Sequence, residues 1–461
     1  MFEQPPKPKP RKESATKLSA LDRRWYPRFE EIGAFQAYEY LDGDSTARAK
    51  EKEAFLSDGK ENPDLDYPRL EEGALLAKDG ELLDLKEKIL ASEKNEVVKN
   101  VYRWRLNEKI AENRLLLAAA TGNMRRFRRY SEFIYGKPSK EIFEYTLGQV
   151  RQELKQIADQ NPSPLIQQEI SHLINDLPDV SGASAISGPD KSMLPAVKSQ
   201  TERDLGDILD IPDAPEKLTD EEIRASFESA LQSLSADGWV AVIDPKRAGI
   251  SVNQERKAVQ VPPDRKMPTV ELKGLIAHEI GTHTARRLNG ERARLRLLGL
   301  GLDRYEGGEE GIATLREQAL AGEADDYSGF DGHFAISLAS GLDGHPRDFR
   351  GTYDLLFRYY FIKNLARGID APEAEKKAAN TAWGRAVRTF RGTDCKTPGA
   401  CFTKDIIYRE GNIAVWETLH RKEPEMQRWN IGKYDPSNPR HLWVLDELGI
   451  TDTDLASLQK E

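Results

Sequence analysis

The chain has 461 residues, enough for a large core and, by length alone, for two or three domains. Its 38% hydrophobic and 31% charged residues are typical of a globular protein with a highly charged surface, and the net charge of −9 argues against nucleic acid as a partner. No apolar run approaches the roughly 20 residues that a membrane-spanning helix requires. The N-terminus also lacks the apolar segment of a signal peptide, so we expect a cytoplasmic protein without a membrane anchor.

Composition divides the chain into four parts. Residues 1–18 are rich in proline and lysine, which predicts a disordered arm. Residues 19–180 carry the spacing of amphipathic helices and predict a helical N-terminal region. Residues 181–198 are rich in serine, glycine and proline, which predicts a linker or loop, and residues 199–461 then form a second domain.

The periodicity of apolar residues predicts which elements follow one another. In the N-terminal region, apolar residues recur at intervals of four at Val98, Tyr102, Leu106 and Ile110. In the second domain, DGWVAVIDP predicts a strand and AGISVNQERKAVQVPPD predicts a hairpin, with Ile250 and Val252 in one arm and Val259 and Val261 in the other. Helical patterns follow the hairpin. We therefore predict an α+β, mostly helical fold with a small antiparallel sheet.

The stretch LKGLIAHEIGTHTARRLNG, residues 272–290, carries the residues of a metal site at an unusual spacing. Two histidines flank a glutamate, as in zinc peptidases, but His278 and His283 are five positions apart instead of four. At about 100° per helical residue, a spacing of five separates two side chains by roughly 140°. An undistorted helix could not direct both imidazoles at one metal ion.

A π-bulge resolves this conflict. One extra residue in a helical turn absorbs about 100° and brings the second histidine close to the position that a spacing of four would give it. Gly281 lies between the two histidines, and glycine tolerates a local distortion of the backbone best. We therefore predict a deformed helix in which His278 and His283 converge.

A catalytic zinc needs a third protein ligand and one open position for water. The segment RYEGGEEGIATLREQAL offers Glu309 and Glu310 at the start of an amphipathic helix, from which a carboxylate could reach back to the metal. A strand and a hairpin followed by a helix with His-Glu-x-x-x-His is also the order of elements in zincin peptidases. This order predicts a zincin-like catalytic domain over residues 199–461.

The motifs HEIGTH and EEGIA resemble those of the bacterial family with a QEGLA motif, which is related to the microtubule-associated tyrosine carboxypeptidases. The segments YGKPSKEIFEYTL and RTFRGTDCKTPGACFTKDIIYREGNIAVW are similar to family segments, and the resemblance extends from about residue 90 to about residue 420. It implies one zinc ion held by His278, His283 and Glu310, with Glu279 as the catalytic base. This chain has Glu309 where the motif has glutamine.

The resemblance implies a zinc metallopeptidase, specifically a carboxypeptidase that uses zinc-activated water. The substrate would be the C-terminus of a protein or peptide, and its terminal carboxylate requires a cation. We predict Lys404 and Arg391 for this role and Tyr408 as a donor to the developing oxyanion. Two alternatives are a zinc endopeptidase and a non-enzymatic helical regulatory protein.

The two cysteines lie in a loop with glycine and proline. Cys395 and Cys401 could close a small disulfide or remain reduced, and the spacing leaves both possibilities open. Two cysteines without neighbouring histidines are too few for a structural zinc site.

Overall fold

The computed structural model describes residues 20–179, 186–212, 214–245, 249–253, 255–421 and 423–451. The structure is 66% helical, with one small three-stranded sheet in the described part, so the prediction of an α+β, mostly helical fold is confirmed. Among the described residues, no helix is both long and apolar enough to cross a bilayer. The predicted arm at residues 1–18 lies outside the described residues.

The N-terminal region is helical, as predicted. Its helices are α1 Tyr26–Gly33, α2 Ala37–Tyr40, α3 Ser45–Ser57, α4 Glu72–Ser92, α5 Glu96–Ala120, α6 Met124–Tyr135, α7 Lys140–Asp159 and α8 Pro164–Asp176. The side chain of Asn95 caps α5 by accepting hydrogen bonds from two backbone amides. The stripe predicted from Val98 to Ile110 is buried along this helix.

The middle of the chain carries the sheet and the histidine motif. Its elements are α9 Leu194–Leu205, α10 Asp220–Ser233, β1 Val240–Ile243, β2 Ser251–Asn253, β3 Ala258–Val261, α11 Thr269–His278, a π-helical turn Glu279–Thr284, α12 Ala285–Arg292, α13 Leu297–Leu300 and α14 Glu306–Ala321. The predicted linker, residues 181–198, lies partly outside the described residues. Its described part already contains the start of α9.

Helices complete the chain. They are α15 Phe330–Ser340, α16 Phe349–Ala366, α17 Ala371–Phe390, α18 Ile406–Arg421 and α19 Pro439–Glu447, with short 3₁₀ turns at Thr403–Asp405 and Glu423–Arg428. Helix α14 packs against α9, α11 and α18 and so connects the histidine motif with the C-terminal helices.

The sheet has the order β1-β3-β2 and is mixed, so the prediction of a purely antiparallel sheet is wrong. The predicted hairpin is present, since β2 and β3 pair in antiparallel orientation with Val252 opposite Val259. The predicted first strand, β1, pairs with β3 in parallel orientation. Strand β3 is buried along its whole length, whereas Val240 and Val242 of β1 are exposed. The strand with the most buried surface therefore occupies the centre, between β1 and β2.

The N-terminal helices share their hydrophobic core with the second half of the chain. One cluster joins α1, α4 and α5 with residues 293–302 and with α19. Another joins α7 and α8 with α15, α16 and α17. The sheet packs with α10 and α11 in a third cluster. The helical region therefore supports the histidine motif and its surroundings through extensive apolar contacts.

Candidate metal centre

The helix that carries the two histidines contains the predicted π-helical distortion. The π turn spans Glu279–Thr284 and continues α11 into α12. Two threonine hydroxyls in this turn donate to carbonyls five residues earlier: Thr282 to Ala277 at 2.9 Å and Thr284 to Glu279 at 3.0 Å. The extra residue brings the imidazole rings of His278 and His283 to a centroid distance of 4.9 Å.

Gly281 is needed in this turn for a different reason from the predicted one. Its backbone is not among the glycines with a positive φ. A Cβ atom at this position would instead overlap the side chain of Leu205, at the end of α9. The buried Leu205 packs directly against the backbone of the π turn. Packing between α9 and the metal helix therefore explains the glycine.

Both histidines direct Nε2 at the same carboxylate oxygen. Glu310 Oε2 lies 3.4 Å from His278 Nε2 and 3.7 Å from His283 Nε2, and each of the three side chains is 13% exposed. Two ligand atoms of a tetrahedral zinc lie about 3.3 Å apart, because each bond to the metal is about 2.0–2.1 Å long. Glu310 Oε2 is buried and makes no satisfactory hydrogen bond with other described groups. These residues fit a zinc ion.

Carboxylates from α14 face the opposite edge of each imidazole. Glu309 Oε1 lies 3.0 Å from His283 Nδ1, and Glu317 Oε1 lies 3.0 Å from His278 Nδ1. A carboxylate at Nδ1 favours a proton on that nitrogen and leaves the Nε2 lone pair for a metal. Helix α14 thus supplies Glu310, which faces both Nε2 atoms, and Glu309, which is hydrogen-bonded to His283 Nδ1. Glu317 lies close to His278 Nδ1 but outside hydrogen-bond geometry.

Two buried cations hold Glu309 in place. Arg286 donates to Glu309 Oε2 at 2.5 Å and to the carbonyl of Tyr434, and the ammonium of Lys433 contacts Glu309 Oε1. Burial would raise the pKa of the Glu309 carboxyl, but the charges of Lys433 and Arg286 outweigh it and hold the pKa well below its usual range. Glu309 is therefore an ionised acceptor for His283.

Glu279 lies beside the same cluster. Ligand atoms of His278, Glu279 and His283 lie within 4.8 Å of one another, and the Glu279 side chain is buried. Burial raises the pKa of the Glu279 carboxyl despite the charges of the two histidines. Glu310 has the opposite balance, since the charges of His283, His278 and Lys404 outweigh burial and lower its pKa to about 2. With both imidazoles charged, Glu310 is therefore ionised near neutral pH.

The position of Glu310 depends on close contact between α14 and α18. A Cβ at Gly311 would overlap the backbone carbonyl of Gly411, and a Cβ at Gly411 would overlap the carbonyl of Gly307. Only glycine permits this approach of the two backbones. The contact explains the glycine after Glu310 in EEGIA and brings the beginning of α18 to the metal centre.

Lys404, in the 3₁₀ turn Thr403–Asp405, and Tyr408, in the first turn of α18, interact electrostatically with Glu310. The Lys404 ammonium is buried, lies 4.6 Å from the ring centroid of Tyr38 and 5.4 Å from that of Tyr408, and makes no hydrogen bond with other described residues. Its nearest carboxylate oxygen, Glu306 Oε2, is 3.8 Å away. Burial favours the neutral amine, but Tyr408 and the carboxylates of Glu306 and Glu310 raise the pKa of Lys404. Lys404 is therefore a buried cation whose N–H groups can donate hydrogen bonds to a ligand.

Arg391 interacts electrostatically with Asp405 and with Asp42. Its guanidinium is buried, and its nearest carboxylate in the described structure is Asp42 Oδ1, at 3.9 Å. Arg388, three residues earlier, donates to both oxygens of Asp405 at 2.6 and 2.9 Å. Arg388 lies in the last turn of α17, whereas Arg391 follows the last helical residue, Phe390, and has an extended backbone with ψ 136°.

The cysteines take no part in this site. Cys395 and Cys401 are both free and buried. Burial raises the pKa of each thiol to about 12, so both remain protonated near neutral pH.

Comparison with known proteins supports a relation to one peptidase family. Residues 189–325 match the family model described as microtubule-associated tyrosine carboxypeptidase. The matched segment contains the sheet, α11 with His278, the π turn with His283, and α14 with Glu310. It covers less than a third of the chain, so Lys404 and Tyr408 lie outside it. No curated protein and no solved structure matches the chain significantly.

Proposed function

We propose that the chain is a zinc-dependent carboxypeptidase that removes residues from the C-terminus of a protein or peptide. One observation carries the proposal: Glu310 Oε2 lies 3.4 Å from His278 Nε2 and 3.7 Å from His283 Nε2, beside the cluster that both histidines form with Glu279. A hydrolytic zinc site has two imidazoles and one carboxylate as ligands, and it has a further carboxylate that does not bind the metal. A structural zinc site would have no use for Glu279.

The roles of the protein groups follow from their positions. His278, His283 and Glu310 hold the zinc, which when bound polarises the scissile carbonyl and activates water. Glu279 accepts the proton of the attacking water and returns it to the nitrogen of the leaving amine. The Tyr408 hydroxyl donates a hydrogen bond to the oxyanion that develops on the carbonyl.

Lys404 is the reason to propose cleavage from the C-terminus of the substrate. A substrate carboxylate next to the scissile bond needs a cation close to the metal centre. The Lys404 side chain is buried, interacts electrostatically with Glu310, and has its nearest carboxylate oxygen, Glu306 Oε2, at 3.8 Å. The aromatic rings of Tyr38 and Tyr408 flank the ammonium. We assign the terminal carboxylate to Lys404. Arg391 is the second candidate predicted from the sequence, but its contact with Asp42 favours a structural role.

The order of elements and the family match support the same class. The small sheet precedes the metal helix, as in zincin-like domains, although here the sheet is mixed. The description of the matched family names a carboxypeptidase, and the match includes all three proposed zinc ligands and Glu279. These similarities support a zincin-like domain that acts on protein C-termini.

The test is to load the purified protein with zinc and digest a peptide library, with products identified by mass spectrometry. We expect one zinc ion per chain and products shortened by single C-terminal residues. Products cut at internal bonds would replace the proposal with an endopeptidase. Zinc-loaded protein without any product would favour a regulatory role.

A further inference from the structure

Arg316 connects α14 to the π turn between the two histidines. Its side chain is fully buried, and one terminal nitrogen, Nη1, donates to the backbone carbonyl of Gly281 at 2.8 Å and to Thr282 Oγ1 at 3.1 Å. Gly281 and Thr282 are the residues directly before His283. Among the described residues, no other side chain donates a hydrogen bond to the Gly281 carbonyl or to Thr282 Oγ1.

The other terminal nitrogen of Arg316 contacts two groups outside the motif. Nη2 donates to Asp204 Oδ2 at 3.2 Å and to Asn430 Oδ1 at 2.9 Å. Asp204 lies on α9 next to Leu205, the residue that packs against Gly281. One guanidinium therefore joins α9, α14, the π turn and the segment before α19. Only its planar, branched group of donors can serve these four acceptors together.

The connection matters because α14 also carries Glu310, six residues before Arg316. The distance between Glu310 and the histidines depends on how α14 lies against the π turn. Arg286 and Glu309 fix one end of this contact, on the far side of His283. Arg316 fixes the other end, between the histidines.

We propose that Arg316 is a positioning residue of the metal centre, which sets the distance from Glu310 to both histidines by holding the π turn at Gly281 and Thr282. The inference rests on the proposed zinc site. It adds a function for a buried arginine that faces neither the metal nor a substrate. An Arg316 that served only the ion pair with Asp204 would affect folding but not the affinity for zinc.

Two substitutions in the same ion pair separate these possibilities. Arg316→Lys keeps a positive charge opposite Asp204 but loses the branched donors, whereas Asp204→Asn keeps the guanidinium on Gly281 and Thr282. We expect Arg316→Lys to weaken zinc binding about 10- to 100-fold and Asp204→Asn to change it by less than about threefold. Zinc affinity is measured by competition with a chromophoric chelator, and thermal unfolding of the metal-free proteins shows how far each variant is destabilised.

The absorption spectrum of the cobalt-substituted proteins provides a second readout. It reports the geometry of the ligands, so it should change in Arg316→Lys and match the wild type in Asp204→Asn. If Arg316→Lys does not fold, the double variant Arg316→Gln/Asp204→Asn replaces it. The double variant removes both charges of the ion pair, so no unpaired charge is left buried, and its zinc affinity and cobalt spectrum are measured in the same way.

An Arg316→Lys protein with the wild-type zinc affinity and cobalt spectrum would overturn the inference. Equal losses of affinity in Arg316→Lys and Asp204→Asn would also overturn it. Wild-type protein that binds zinc but hydrolyses no peptide refutes the proposed function alone, because neither readout uses activity. Wild-type protein that binds no zinc refutes both.

Discussion

His278 and His283 bring their rings to a centroid distance of 4.9 Å although five positions separate them in the sequence. The π turn between them makes this convergence possible. Glu310, on the facing helix, then lies close to both Nε2 atoms, and Glu309 and Glu317 lie at the two Nδ1 atoms. The unusual spacing is therefore compatible with a metal centre of ordinary geometry.

Substitutions at the adjacent glutamates should separate a ligand from an orienting group. We expect Glu310→Ala to lose the zinc ion, because only two protein ligands remain. Glu309→Gln should keep zinc but bind it about 10- to 100-fold more weakly, because the amide is a poorer acceptor for His283 Nδ1. Metal analysis after gel filtration and chelator competition provide the measurements. Retention of zinc by Glu310→Ala together with its loss from Glu309→Ala would reverse the two assignments.

Glu279→Gln should separate metal binding from chemistry. Glutamine preserves the size of the side chain but cannot accept a proton from water, so we expect full zinc occupancy and a kcat lower by at least about 10²- to 10⁴-fold. Peptide hydrolysis and zinc content are measured on the same sample. Hydrolysis at the wild-type rate would exclude Glu279 as the base.

Gly281→Ala tests the packing of α9 against the π turn. The added methyl group would overlap Leu205, so we expect a loss of about 1–3 kcal/mol in the free energy of unfolding and weaker zinc binding. The cost of Gly281→Ala should be smaller in a Leu205→Ala background, where the overlap is absent. Urea unfolding of the four proteins measures this coupling. Additive costs would show that the side chain of Leu205 does not require the glycine.

The Arg388–Asp405 pair predicts a pH dependence of stability. Burial would raise the pKa of Asp405, but the charge and hydrogen bonds of Arg388 lower it to about 2, from an ordinary value of 3.8. A carboxyl with a lowered pKa stabilises the folded state above its unfolded pKa and loses this contribution as the pH falls toward its folded pKa. We expect the stability difference between wild type and Asp405→Asn to shrink by about 1 kcal/mol between pH 5 and pH 3.

Urea unfolding of the metal-free proteins at the two pH values measures this difference. Comparing the two proteins at each pH removes the contributions of other carboxyl groups. A difference that stays constant or grows toward pH 3 would contradict the lowered pKa of Asp405.

Lys404→Met should affect substrate binding and leave the metal in place. The variant keeps the unbranched side chain between Tyr38 and Tyr408 but removes the cation. A lost charge-assisted hydrogen bond costs about 1.5–3 kcal/mol, so we expect kcat/KM for peptides with a free C-terminus to fall about 10- to 100-fold. Arg391→Ala is the matched control, since Arg391 faces Asp42, and its kcat/KM should stay near the wild-type value. An equal fall in both variants would remove the assignment to Lys404.

The local elements of this fold were predictable from the sequence. The amphipathic stripe of α5, the β2–β3 hairpin and the π turn each depend on spacing within a short segment. The parallel pairing of β1 with β3 was not predictable, because it depends on how two strands separated by a third share the core.

The supporting groups of the site were missed for a similar reason. Lys433 lies 124 residues from the Glu309 that it contacts, and Arg316 contacts a backbone carbonyl 35 residues earlier. A sequence motif identifies residues that bind the metal directly. It does not identify a side chain that supports the site by contacting a backbone group or the carboxylate beside a ligand. Arg388 was missed because the sequence does not show that α17 ends at Phe390, which leaves Arg388 on the helix, hydrogen-bonded to Asp405, and Arg391 beyond it.

The central claim is cleavage from the C-terminus by a zinc centre. It is tested most directly with one peptide in two forms, as the free acid and as the C-terminal amide, incubated with zinc-loaded wild type and followed by mass spectrometry. The ammonium of Lys404 binds a terminal carboxylate, which the amide lacks. We therefore expect the free acid to lose one residue and the amide to be cleaved at least about 10-fold more slowly. Equal cleavage of the two peptides would contradict it.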